Sequence, residues 1–159
     1  MRPKKKQRMA LVTGTVDTVL APMGFGRQGL NWRRRIGDVL QQFTIFYMQI
    51  EGRYRPEWGL NIWRLCQDPK PRAYQLQVRW IFEQTVLRMP ERLRCFAASD
   101  LDDPIGDDTR AKVIQTVFER HVVPCLELST TEGAVRKMLG DRKMPHRANV
   151  FVDLPENWW

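Results

Sequence analysis

Serine is almost missing from this chain: Ser99 and Ser129 are the only two in 159 residues, and neither sits in a G-x-S-x-G elbow. A serine nucleophile therefore has no motif to rest on. Cysteine is scarce and odd in number. Cys66, Cys95 and Cys125 are the only three, lie about thirty residues apart and form no C-x-x-C pair, which argues against a disulfide framework and for free thiols in a reducing compartment. Long apolar runs are missing as well. The longest, Phe43 to Ile50, is interrupted by Thr44 and Gln49 and falls far short of the roughly 20 residues that span a bilayer, so no membrane role is expected. The opening MRPKKKQRMALV lacks the unbroken apolar core and small-residue cleavage site of a secretory leader, and a cytoplasmic location is the expectation.

Charge of one sign is in excess, with a net +8. Arg2, Lys4, Lys5, Lys6 and Arg8 supply five of those charges, so the rest of the chain is only mildly basic and residues 1–8 read as a basic flexible tail. Lysine is sparse overall, at 7 of the 26 basic residues, the three tail lysines included. The 43% apolar and 10% aromatic content suffices to close one core, and the division predicted is a single α+β domain over residues 9–140 followed by a C-terminal tail, 141–159.

Within that domain, Met9, Val12, Val16, Val19 and Leu20 recur at helical spacing and predict a first helix ending at Ala21-Pro22. The period then becomes two. Asn31 to Ile36, Val39 to Gln49 and Trp58 to Leu65 read as strands separated by a tight Gly37-Asp38 hairpin and a Glu51 to Pro56 loop. Tyr74, Leu76, Val78, Trp80 and Phe82 alternate with Gln75, Gln77, Arg79 and Glu83, so a fourth strand should bury the first set and wet the second. Arg92 to Ser99 reads as a fifth strand with Cys95 in the core. A helix opens at Asp107-Asp108-Thr109, carries Val113, Ile114, Val117, Phe118, His121, Val122 and Cys125 on one stripe, and should kink or end near Val123 before Pro124. Ser129-Thr130-Thr131-Glu132 fits a capping box for a last helix ending at Gly140. The expected fold is a five-stranded antiparallel meander with the N-terminal helix and two C-terminal helices packed on one face.

Motifs that carry chemistry are few. Gly24 to Gly29 matches G-x-G-x-x-G, but a helix precedes it and a strand follows, the reverse of a dinucleotide site. Asp100, Asp102, Asp103, Asp107 and Asp108 cluster without the glycine and glutamate of a calcium loop and read as a helix-entry loop. His121 and Cys125 share a helical face with nothing nearby to complete a metal set, so His121 reads as a core histidine. Glu51, Glu57 and Glu83 would meet across the sheet as paired acids only if topology brought them together; their spacing does not demand it. The expectation is therefore a noncatalytic chain with no cofactor and no metal.

The order of elements, together with Leu20-Ala21-Pro22-Met23-Gly24-Phe25, Trp32 to Arg35, Phe43 to Gln49, Trp58 to Trp63, Val123-Pro124-Cys125-Leu126 and Ser129 to Glu132, resembles the bacterial family catalogued as domain of unknown function 4304, over residues 8–140. Gly26 stands where that family usually has a second basic turn residue. The resemblance implies a fold and no catalytic residue.

What stands out is arginine interleaved with large aromatics: Trp32, Arg33, Arg34, Arg35, Tyr47, Arg53, Tyr54, Arg55, Trp58, Trp63, Arg64, Arg79 and Trp80. These residue types concentrate binding energy in protein interfaces and also stack on bases, although they equally fill cores and cover sheets. The functional expectation is a binding protein, such as an inhibitor or immunity protein that neutralises a bacterial toxin by protein contact. Arg53, Arg55, Trp58 and Arg79 would form its recognition surface, with Trp58 as anchor if its ring is exposed. The alternative is a single-stranded nucleic-acid-binding protein using the same face.

Overall fold

The computed structural model describes residues 3–66, 68–72, 75–81, 92–140 and 150–158. Helix α1 (Pro3–Leu20) leads into strands β1 (Gly26–Gln28), β2 (Asn31–Ile36), β3 (Val39–Met48), β4 (Arg53–Ile62) and β5 (Val78–Ile81). Helices α2 (Arg92–Ser99), α3 (Asp107–Val117), α4 (Val123–Leu128) and α5 (Glu132–Gly140) follow, and β6 (Val150–Val152) returns to the sheet. The fold is α+β, and the strands lie in the order β1-β2-β3-β4-β5-β6 with every pairing antiparallel.

Period-two alternation sorts the strands into two faces. Trp32, Val39, Phe43, Ile45, Tyr54, Trp58, Leu60, Ile62, Val78 and Trp80 point to the side on which the helices pack, and join Met9, Val12, Val16 and Leu20 of α1 with Ile114, Val117, Leu126 and Val135 in one core. Gly37, at φ 56°, takes the left-handed turn that lets Ile36 pair with Val39. Pro56 lies inside β4 opposite Ile45. Because β5 pairs only with Glu57 to Leu60, the missing N–H of Pro56 interrupts no ladder on that side. The Glu51 to Pro56 loop expected from its Gly and Pro is therefore mostly strand.

Four other expectations are corrected. Arg92 to Ser99 is helix α2 rather than a fifth strand. Leu93 is 77% exposed while Cys95, Ala98 and Ser99 are buried, a helical spacing that the short run of alternating arginines concealed. The sheet position beyond β5 is taken instead by β6, and Trp158 is 2% exposed in the core, so residues 150–158 of the expected tail are part of the fold. From Pro3 onward the basic tail is the start of α1. The acidic loop explains why: Lys5 pairs with Asp102, Arg8 lies 3.6 Å from Asp107, and the buried Arg8 donates to the Leu101 carbonyl at 2.5 Å. Finally, the helix does not break at Pro124. A π-helical turn, Phe118–Val122, precedes it, with the Val123 N–H bonded to the Phe118 carbonyl. Wider spacing accommodates a proline that cannot donate to its own i−4 carbonyl.

The capping residue is also displaced. Thr131 Oγ1 accepts the Ala134 N–H at 3.1 Å, and the Asp38 carboxylate accepts the Glu132 N–H. Ser129 instead donates to the Cys125 carbonyl at 2.7 Å and closes α4. Tyr74, Phe82 and Glu83 lie outside the described residues; Val78 and Trp80 are buried in the core as their parity required, whereas Leu76 is buried on the other face, against Gly59.

Candidate functional site: the arginine face of the sheet

Register places a row of polar side chains on the face turned away from the helices. Arg33 pairs with Gln42, Gln42 with Gly59, and Gly59 with Arg79; beside this row Asn31, Thr44 and Glu57 are cross-strand neighbours, and Arg55 sits opposite Phe46 and Arg53 opposite Met48. Arg53, Arg55 and Arg79 therefore share one face, as the sequence suggested, and Arg33 and Arg35 join them from β2. Trp58 does not. It pairs with Phe43 and Trp80, is 1% exposed, and cannot be a surface anchor. Trp58 lies an odd number of residues from Arg53, Arg55 and Glu57, so no strand can present all four together.

The face is held rigid by its own hydrogen bonds. Arg33 Nε donates to Gln42 Oε1 at 2.7 Å, Gln42 Nε2 to Thr44 Oγ1 at 2.9 Å, and Thr44 Oγ1 to Asn31 Oδ1 at 2.9 Å. Burial holds the Arg33 guanidinium below its ordinary pKa, opposed by the charge of Asp68. Arg55 Nη2 lies 3.1 Å from the buried Glu57 carboxylate, and Arg53 pairs with Glu51. The face is not bare: Pro71 accepts from Arg33 at 3.3 Å, and Leu76 packs over Gly59. A Cβ at Gly59 would fall on the Val78 carbonyl oxygen, with Leu76 Cδ1 3.1 Å away; only glycine lets β5 approach so closely.

At the β1 and β2 end the face opens into a groove of about 270 Å³ whose walls include Arg27, Arg33, Arg34, Arg35 and Lys70. The Arg33-Arg34-Arg35 triplet in a predicted strand was the available signal, but the contribution of Lys70 depends on a long-range fold that the sequence does not display. Elsewhere, arginine and aromatics meet structurally. Arg27 covers Trp32 at 5.1 Å, Arg34 covers Phe25 at 4.8 Å, Arg35 covers Trp63 at 4.1 Å and Arg136 covers Trp158 at 4.8 Å. Much of the interleaving is therefore packing.

The other candidate groups have structural environments. Burial pushes the Cys125 thiol up to about 11, opposed by Trp58, so at neutral pH it is a thiol and not a thiolate nucleophile. Gly24 and Gly29 take positive φ in the turns around β1, between a helix and a strand. Asp100 and Asp103 accept the Asp102 and Ile105 N–H groups at 2.8 and 2.9 Å, forming Asx turns. Among the described residues no group of three or more His, Cys, Asp or Glu could hold a metal ion, and no helix is long and apolar enough to cross a membrane. No family model, curated protein or solved structure matches the chain.

Proposed function

We propose that the chain is a noncatalytic binding protein that covers an acidic surface of a protein partner, in the manner of an inhibitor or immunity protein that neutralises a bacterial toxin. The observation supporting this reading is the gathering of Arg33, Arg35, Arg53, Arg55 and Arg79 on one sheet face, where Glu57 is held by Arg55. An ordered guanidinium array favours carboxylate-bearing partners, because pre-positioned forks lose little freedom on binding. The resemblance to domain of unknown function 4304 is consistent with a bacterial origin and adds no site residue.

For the nucleic-acid alternative, Trp32, Trp58, Trp80 and Trp158 are buried, which leaves the half-buried Phe46 and Trp63 for stacking and the arginines for phosphate contact. The test is capture from a native-host lysate by the immobilised chain and by its Arg53→Glu/Arg79→Glu variant. A protein retained by the first and lost from the second, with affinity reduced by about 2 kcal/mol or more, supports the reading. Equal retention by both, or retention of nucleic acid alone, contradicts it.

A further inference from the structure

The cations around the groove at the β1 and β2 end differ in how far their charge is already answered. Arg27 pairs with Asp17 at 2.6 Å. Arg34 donates to Gln41 Oε1 at 2.7 Å and to the Met23 carbonyl at 2.6 Å, and Glu127 acts on its charge. Arg33 spends Nε on Gln42 and Nη2 on the Pro71 carbonyl, and feels the charge of Asp68. Asp68 Oδ1 also accepts the Lys70 N–H at 2.7 Å. Arg35 and Lys70 remain, both exposed. Arg35 lies 4.1 Å over the Trp63 ring and donates Nε to the Gly37 carbonyl at 3.3 Å. Asp38, three residues on, directs its carboxylate to the Glu132 N–H instead. Among the described residues no carboxylate pairs with the Arg35 guanidinium or the Lys70 ammonium, so Arg33, Arg35 and Lys70 stand together against Asp68.

Strand geometry sets the spacing of these charges. Arg33 and Arg35 are alternate residues of β2, so their side chains leave the sheet on one side about 7 Å apart. Leu40, opposite Arg35 and 4% exposed, and Pro69 make the ground between them and Lys70 apolar. β1 is the end strand of the sheet and all three of its residues are exposed, so the groove opens along an edge. An extended peptide repeats on one side at the same interval, and carboxylates on its alternate residues match both guanidinium groups. Burial holds Arg33 and Arg34 below their ordinary pKa in spite of Asp68 and Glu127; a further carboxylate offsets desolvation that those acids leave uncompensated. No aromatic ring is among the described residues lining the groove, and Arg35 covers Trp63 beside it, which favours a peptide over stacked bases.

We propose that this groove takes an extended acidic segment of the protein partner, with carboxylates on alternate residues held by Arg33 and Arg35 and one of them shared with Lys70. This anchor rests on the arginine face being a protein-binding surface, and names the chemistry that the surface holds. Amide chemical shifts of the free chain, followed as an end-blocked glutamate-valine-glutamate peptide is added, test it apart from lysate capture; the glutamine-valine-glutamine peptide and tetrathymidylate are the comparisons. The glutamate peptide should bind about fivefold or more tightly than either and move the amides of residues 26–28, 33–35 and 70. Arg35→Gln should weaken that binding by about fivefold with an unchanged melting midpoint, and Arg94→Gln, on the helical side, should leave it intact. Lys70→Gln, at an exposed loop position, gives the same reading should Arg35→Gln disturb the packing on Trp63. No saturable binding, equal binding of the glutamine peptide, tighter binding of tetrathymidylate, or indifference to both groove substitutions overturns the proposal. Partner capture that is lost with Arg53→Glu/Arg79→Glu while the peptide fails to bind would keep the arginine face and remove the groove as its anchor; peptide binding with no partner captured would do the reverse.

Discussion

Arg110 shows how far a single side chain's role can depart from its composition class. It is fully buried, and its guanidinium donates to the carbonyls of Ala97, Ala98, Asp100 and Asp103, tying the end of α2 to the start of α3. Burial lowers its pKa despite the nearby Tyr54 and aspartates. Arg110→Ala is expected to cost about 3 kcal/mol or more in urea unfolding, because the carbonyls it serves lose their donor. Trp80→Ala and Trp58→Ala should each cost roughly 3 to 5 kcal/mol, since both rings are core; a loss below about 1 kcal/mol at Trp58 would return it to the surface. Glu132 offers a pH test. Its carboxyl accepts from Arg64 Nε at 2.8 Å and Nη2 at 2.5 Å, and that pairing holds it below the ordinary 4.5. A lowered folded pKa means that the stabilisation is present above pH 4.5 and is lost as pH falls through the folded value. Thermal melts should therefore converge for the native chain and Glu132→Gln in strong acid and separate above the carboxylate range, with the native chain the more stable.

Elements with long, uninterrupted periodicity were legible in sequence, and those that depend on distant partners were not. Met9, Val12, Val16 and Leu20 disclosed α1 because burial repeats every three to four residues, and the Gly37-Asp38 pair disclosed its hairpin. Arg92 to Ser99 misled because a run of eight residues supports both periods. The start of α1 and strand β6 were hidden because their partners, Asp102 and β5, lie 97 and about 70 residues away, beyond any local pattern. Of the candidate site, Arg79 was legible by parity and Arg53 and Arg55 by residue type, whereas Trp58 was misplaced because residues 51–56 read as a loop; with Arg53–Ile62 a single strand, odd spacing sends Trp58 to the opposite face. Deleting residues 1–8 should destabilise the fold by about 2 kcal/mol or more, as it removes the buried Arg8 and its bond to Leu101. A flexible tail would leave the urea midpoint unchanged.

For the molecule as a whole, the two sides of the sheet divide the work: one seals tryptophans beneath helices, the other presents arginines. Binding by such a surface should weaken as salt rises, because half-exposed charges are screened over about 10 Å at 0.1 M ionic strength. Amide hydrogen exchange on the captured complex locates the interface directly. Added protection across residues 33–35, 53–57 and 79, with exchange in α3 and α5 unchanged, is the expected result. Protection confined to the helical side, with the β2, β4 and β5 amides exchanging as in the free chain, would contradict recognition by the arginine face.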